Sequence, residues 1–334
     1  MMKYNIPYKY IRAFLKYGTI KKLTNFFRIE SQKHMAATYV CGYPYTLTVD
    51  ITNVCNLKCM YCPTGQGKIG RSKGFITLPR FKSIINELKE YLYIVNLFNW
   101  GEPLLNKEAF RMIEYVHRNN IFSCLSTNLN YCNEKMVESL LNSGLDYLIV
   151  SIDGASKLSY DKYRKGGDFE IVINNLKYLL NRRQNLNKNS PFIIWRYFIF
   201  PHNEHEINKV EYMAKELGVD KIEFEQGKID IGCQLSNINR VSPNNNKFKK
   251  CSWLWHNTVI NWDGGVSPCC LTFYEKDDFG NIFENGFKNI WNNTKFINSR
   301  KIFSKKTNKI RDVNVETVCH RCVKNSLSQY AWIK

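Results

Sequence analysis

Residues 55–63 read Cys-Asn-Leu-Lys-Cys-Met-Tyr-Cys-Pro, and the spacing of Cys55, Cys59 and Cys62 decides how the rest of the chain is read. Three thiolates separated by three and then two residues can hold three irons of a [4Fe–4S] cube. The fourth iron is left without a protein ligand, free to bind a small chelating molecule and pass it an electron. With 12 Cys in 334 residues, chance yields such a triple roughly 0.02 times per chain. A structural zinc site needs a fourth ligand close by, and no further Cys or His stands near these three.

Outward from this run, strand and helix patterns alternate. Strand-like stretches fall at 46–51, 94–98, 122–126, 147–152, 192–200 and 221–224. Amphipathic helical stretches fall between them at 78–91, 107–118, 133–143, 169–182 and 206–217. Thr77 and Pro79 suit a helix start, and Gly144 and Gly218 suit helix stops. This alternation predicts a parallel sheet with helices on its outer face. Six units are too few to close an eight-stranded barrel, so an open wound sheet and a curved partial barrel both remain.

The flanks differ in kind. Residues 1–43 form a basic lead-in in which Tyr8, Ile11, Phe14, Leu15, Leu23, Phe26 and Phe27 recur at roughly helical spacing. Lys9, Arg12, Lys16, Lys21, Lys22 and Arg28 fill the gaps, and Gly18 is placed to break the segment in two. Such a helix either packs its apolar side on the body or makes weak contact with an anionic membrane surface. Residues 44–226 carry the alternation, and 227–250 read as a polar linker. Residues 251–334 hold short strands and turns, with a helix expected around 286–300.

The chain carries a formal charge of +19, with a pI near 9.3. Such a balance admits an anionic substrate, a nucleic acid or an anionic membrane. No aromatic-basic stripe supports a nucleic acid, and the richness in Lys, Asn and Ile is also what compositional drift produces. No apolar run reaches the length of a membrane span, and no signal peptide is evident. The Cys residues stand in metal-ligand spacings, not in an evenly scattered disulfide framework, which points to a reducing cytoplasm.

A second constellation lies near the C-terminus: Cys251, then Cys269-Cys270, then Cys319-His-Arg-Cys322. By spacing it suits either zinc or a second iron–sulfur cluster. Cys41, Cys124, Cys132 and Cys233 read as small buried hydrophobes or inert thiols. Cys233 or Cys270 could instead return a hydrogen atom to a substrate radical. His256 and His320 read as structural.

The Cys55–Cys62 run, with aromatic Tyr61 in its third variable position, resembles the signature of the radical S-adenosylmethionine (SAM) superfamily. The resemblance extends from about residue 44 to the C-terminus. It selects the partial (βα)6 barrel and places the chemistry at the C-terminal strand ends. It also implies that SAM chelates the open iron, with Tyr61 near the adenine. Reduction would then release a 5′-deoxyadenosyl radical that takes hydrogen from an unactivated carbon.

Trp100-Gly101-Glu102-Pro103 resembles the family's Gly-Gly-Glu segment, which receives the SAM amino group, with Trp100 standing where the first Gly would be. The same resemblance carries ribose and carboxylate contacts to Ser126, Asn128 and Ser151. Arg164 matches a recurrent family arginine. Asp153 and Arg196 are expected to orient substrate.

The C-terminal constellation, with Gly264, Pro268, Gly280-Asn281 and Ile290-Trp291, resembles the SPASM group in its shortened "twitch" form. That implies one auxiliary [4Fe–4S] cluster on Cys251, Cys269, Cys319 and Cys322, with Cys270 spare or replacing Cys269. The spacing is similar to that of an aminocyclitol dehydrogenase of the superfamily. The expected activity is therefore dehydrogenation of a small polar substrate (a sugar, aminocyclitol or amino-acid-like molecule). The auxiliary cluster accepts the electron, and a flavodoxin or ferredoxin supplies the initiating one. A radical epimerase, a peptide-modifying maturase and a non-catalytic iron–sulfur electron-transfer scaffold are the alternatives.

Overall fold

A computed structural model describes residues 8–227, 251–304 and 315–324. Six strands appear where the pattern placed them: β1 (Thr46–Val49), β2 (Ile94–Asn96), β3 (Phe122–Thr127), β4 (Tyr147–Ser151), β5 (Phe192–Ile199) and β6 (Lys221–Gln226). They pair parallel, each with its neighbour in sequence. Beyond β1 the sheet gains two strands that the sequence pattern did not reveal, because each is only two residues long. β7 (Val259–Ile260) pairs parallel with β1, and β8 (Val266–Ser267) returns antiparallel. β6 and β8 are the two edges, so the sheet stays open. The partial (βα)6 barrel stands.

Register sorts the side chains by face, because alternate residues of a strand point opposite ways. Thr48, Asn96 and Cys124 share one row, and Ser151, Arg196 and Glu223 share another on the same face. On the opposite face Leu47, Val49, Val95, Leu125, Leu148, Val150, Ile193 and Trp195 have no exposed surface. The apolar face is the one the helices cover. The other mixes apolar residues such as Tyr147, Ile149 and Phe192 with these polar ones, and it is polar where it reaches Ser151, Arg196 and Glu223 near the C-terminal strand ends.

Helix α1 (Tyr8–Tyr17) and helix α2 (Ile20–His34) are separated at Gly18-Thr19, as the glycine suggested. They close the N-terminal ends of the strands. Phe14 packs on Phe26 and Tyr93, Tyr10 on Tyr45, and Arg12 lies over the Phe192 ring. The Tyr17 hydroxyl donates to buried Asp146, which also accepts from Lys16 and the Ser123 amide. Each fully buried apolar side chain here is worth about 1.5–3 kcal/mol, so the plug belongs to the body of the protein.

The remaining barrel helices are α3 (Leu78–Leu88), α4 (Ala109–Arg118), α5 (Glu134–Asn142), α6 (Lys157–Tyr163), α7 (Phe169–Asn185) and α8 (Ile207–Leu217). α6 is short and largely polar, and it was missed in the sequence. The helix expected around 286–300 is two, Phe287–Trp291 and Thr294–Lys301. Asn293 caps the second by accepting from the Phe296 amide, which ends the first. Of the linker residues, 228–250 lie outside the described residues, and so does Cys233.

Candidate iron–sulfur and SAM site

β1 ends at Val49, and the chain runs from Asp50 through Thr52 and Asn53 into the cysteine loop. Thr52 donates to the Gly74 carbonyl and Asn53 to that of Ser72, so the far end of the loop returns to the strand it left. The middle of the loop is strapped to the segment after α6. The Met60 amide donates to Tyr163 O and the Lys58 amide to Lys165 O. Gly101 presses on the same turn: a Cβ there would lie 1.9 Å from Thr52 O. No other residue fits that position without shifting backbone.

Cys55, Cys59 and Cys62 converge here with Leu57, Tyr61, Tyr163, Phe198 and Phe200. Burial pushes the Cys55 thiol up to about 11 and the Cys59 thiol up to about 12. In both cases Arg164 works in the opposite direction. Its Nη1 lies 4.0 Å from Cys59 Sγ. Loading iron onto buried thiols must expel their protons, and a guanidinium at that distance favours the thiolate form.

Three thiols that influence one another, beside a fixed cation, suit an anionic cluster.

The neighbouring side chains take roles partly different from those expected. Glu102 is 2% exposed, and burial raises its pKa. Its carboxylate accepts from the Thr127 hydroxyl and from the Asn128 and Leu104 amides. Three of roughly four lone-pair directions are therefore taken by the chain itself. Pro103 opens the short 3-10 turn that Glu102 caps.

Asn128 donates to Asn56 Oδ1 and toward Cys55 Sγ, so it steadies the cysteine loop. Ser126 and Ser151 bring their hydroxyls to 3.5 Å from each other on the polar face. Tyr61 packs at 5.9 Å from Tyr163 and 5.3 Å from Phe200, and His202 stacks on Phe200 at 9°. Together they make an aromatic floor beside the thiols.

Asp153 has no exposed surface, accepts from Arg164 Nε at 2.5 Å, and accepts from the Phe198 amide. With both oxygens engaged, it holds Arg164 in place. Arg196 lies on the polar face, between Glu223 at 3.1 Å and Glu225 at 3.2 Å. The sequence did not single out these two carboxylates. Their i, i+2 spacing on a strand was the available signal.

The C-terminal thiols form a second, half-buried set. Cys251 is pushed up to about 12 by burial, and Cys269, Cys319 and Cys322 are raised by the same cause. Cys251, Cys319 and Cys322 each feel Cys269, so that member of the adjacent pair is placed among them. His256 stacks on the Tyr45 ring and is bonded to Ser252 O, and His320 Nδ1 accepts from the Thr317 amide at its own helix start.

The segment rests on the glycine-rich stretch after the first cysteines. Buried Arg71 grips Asp263 and Asp278, and Trp262 donates to Ser72 O while its ring fills the space beside Gly74. Trp100 meets Phe273 edge-on at 5.4 Å, three residues past Cys270.

Comparison with known proteins agrees with this geometry. The radical SAM superfamily model matches residues 49–210, and the SPASM iron–sulfur cluster-binding domain matches 251–323. The chain therefore belongs to the radical SAM superfamily and carries a SPASM domain. Membership implies SAM and a [4Fe–4S] cluster in the barrel, and auxiliary iron–sulfur binding in the C-terminal domain.

The AdoMet-dependent heme synthase of Methanosarcina barkeri is 30% identical over 176 residues, 52% of this chain and 48% of that protein. The mycofactocin maturase MftC of Mycobacterium ulcerans is 28% identical over 137 residues, 41% of this chain and 36% of that protein. The chain thus spans about half, or less, of these curated relatives. Among solved structures, BtrN in complex with AdoMet and 2-DOIA aligns with a TM-score of 0.51 at 19% identity, covering 78% of this chain and 87% of that one. SuiB of Streptococcus suis bound to its precursor peptide aligns with a TM-score of 0.56 at 14% identity, covering 86% and 73%. Both likenesses are of fold alone.

Proposed function

We propose that this protein oxidises a small polar substrate at a carbon–hydrogen bond, with its C-terminal domain taking the second electron. Bound at the two thiol sets, SAM and the iron–sulfur centres would supply hydrogen-atom abstraction and an electron acceptor, a net two-electron oxidation at carbon. Cys55, Cys59 and Cys62 hold the first centre, and Arg164, fixed by Asp153, offsets its negative charge. Tyr61, Tyr163 and Phe200 offer a flat apolar surface to the adenine. Gly101 gives the methionyl end backbone access, and the hydroxyls of Ser126 and Ser151 suit ribose or carboxylate oxygens. Cys251, Cys269, Cys319 and Cys322 hold the auxiliary centre.

One observation carries the reading. The auxiliary segment packs directly on the loop of the first thiols, through Arg71 to Asp263 and Asp278 and through Trp100 to Phe273. An electron acceptor has to lie close to the carbon that loses hydrogen, and this packing ties the stretch that carries Cys269 and Cys270 to the loop of the first thiols. The polar face supports a polar substrate: Arg196, Glu223 and Glu225 present charge and hydrogen-bonding groups to hydroxyls or an ammonium.

A second reading, peptide modification, is favoured by similarity to the mycofactocin maturase and to the peptide-bound SuiB structure. Anaerobic iron and sulfide counting tests the first reading. It should give about eight irons in the wild type and about four in Cys251→Ala, from two four-iron clusters. About four irons with one zinc in the wild type removes the electron-accepting role.

A further inference from the structure

The lead-in helices do more than close the barrel. α1 and α2 bury Ala13, Tyr17 and Ile29 against the strands, yet each is apolar on its outer side as well. In α1 the outward residues are Ile11 and Leu15, one helical turn apart. In α2 they are Ile20, Leu23 and Phe27, which fall on the side of the helix opposite Lys22, Asn25 and Ile29.

Leu15 is 83% and Ile20 87% exposed, on either side of the Gly18-Thr19 turn, so the tip of the hairpin is its most apolar part. Of the thirteen exposed large apolar side chains among the described residues, seven lie between Ile11 and Tyr39. Concentration in so short a stretch marks an interaction surface.

The charges around this surface choose the partner. The two helices carry Lys9, Arg12, Lys16, Lys21, Lys22, Arg28 and Lys33 against Glu30 alone. Lys22 is buried and Lys33 pairs with Glu30. Lys16 and Lys21 touch Asp146 and Glu90 but keep 47% and 56% of their side-chain surface open, and Arg28 is exposed. Two copies meeting through this face would bring like charges together. An anionic lipid surface accepts both the apolar tip and the basic flanks.

We infer that α1 and α2 form a docking hairpin for an anionic membrane surface, with Leu15 and Ile20 entering the acyl boundary and the lysines and arginine meeting headgroup phosphates. α1 and α2 sit at the N-terminal strand ends, so docking leaves Cys55, Cys59 and Cys62, which follow the C-terminal end of β1, on the side away from the bilayer.

Vesicle flotation of the full-length, anaerobically iron-loaded protein tests this. Vesicles of phosphatidylcholine with phosphatidylglycerol should carry the wild type, whereas phosphatidylcholine alone should not, and raised salt should release it. A Leu15→Glu, Ile20→Glu, Phe27→Glu triple variant should bind at least tenfold more weakly. These side chains touch little else, so iron content and melting temperature should be unchanged, which separates lost docking from lost folding. Wild type that stays with the soluble fraction overturns the inference. So does equal binding by the triple variant, or sedimentation showing a dimer that the triple variant abolishes.

Discussion

The two thiol sets differ in how their cysteines are gathered. The first takes Cys55, Cys59 and Cys62 from one eight-residue loop, folds the loop back on β1, and places the Arg164 guanidinium beside Cys59. The second draws Cys251, Cys269, Cys319 and Cys322 from segments spread over 72 positions, and its thiols are raised by burial and by one another, against neighbouring hydrogen bonds. A three-thiol set with a nearby cation is suited to a centre that binds a ligand and changes charge. A four-thiol set is suited to a closed centre that stores an electron. On the proposed function, the comparison teaches that initiation and electron collection would be separated in ligand count as well as in domain.

The hardest test of that division replaces one ligand on each side. Cys59→Ala should reduce SAM cleavage, read as 5′-deoxyadenosine formed under strong reductant, to background. Cys319→Ala should still cleave SAM in the absence of substrate while losing about four irons. Equal loss of cleavage in both variants would mean that the two sets do not divide the labour.

Next in size is the clamp that joins the regions. The Arg71 side chain is 2% exposed, and its partners Asp263 and Asp278 come from the other domain. Removing one member of a buried pair leaves the others uncompensated, at a cost of about 3–5 kcal/mol. Arg71→Met should lower the midpoint of anaerobic denaturant unfolding accordingly. If the stability is unchanged, the regions are held together by the aromatic contacts and β1–β7 pairing instead.

Legibility in the sequence followed the same division. The first set was plain because its ligands are local, and the six strands were plain because parallel, buried strands read as short apolar runs between amphipathic helices. β7 was not, since two residues carry no periodicity and their partner β1 lies about 210 positions away. The partner of Asp153 was hidden for a related reason. A carboxylate at a strand end looks the same in sequence whether it faces a ligand or a buried arginine, and only the fold shows that Arg164 takes it. The lead-in's membrane-like pattern was visible in the sequence. That its helices are apolar on both sides emerged only once one side was seen to plug the barrel.

The smallest expected effect concerns the seam between the regions. The Trp100 ring touches Phe273 of the second region, and its indole Nε1 is buried with no hydrogen-bond partner among the described residues. An unpaired buried donor costs about 1–3 kcal/mol, so removing it offsets part of the packing lost when indole becomes phenyl. In cluster-free protein Trp100→Phe should therefore change stability by less than about 1 kcal/mol, measured by denaturant titration. The same substitution in iron-loaded protein sharpens the comparison. A distinctly larger loss there would show that the N–H finds its acceptor only when the centres are in place, making Trp100 a further bond between two regions that also meet through Arg71, Trp262 and the β1–β7 pairing. An equal, small change in both states would mark Trp100 as a spacer, and the division between the two thiol sets would then rest on their ligands alone.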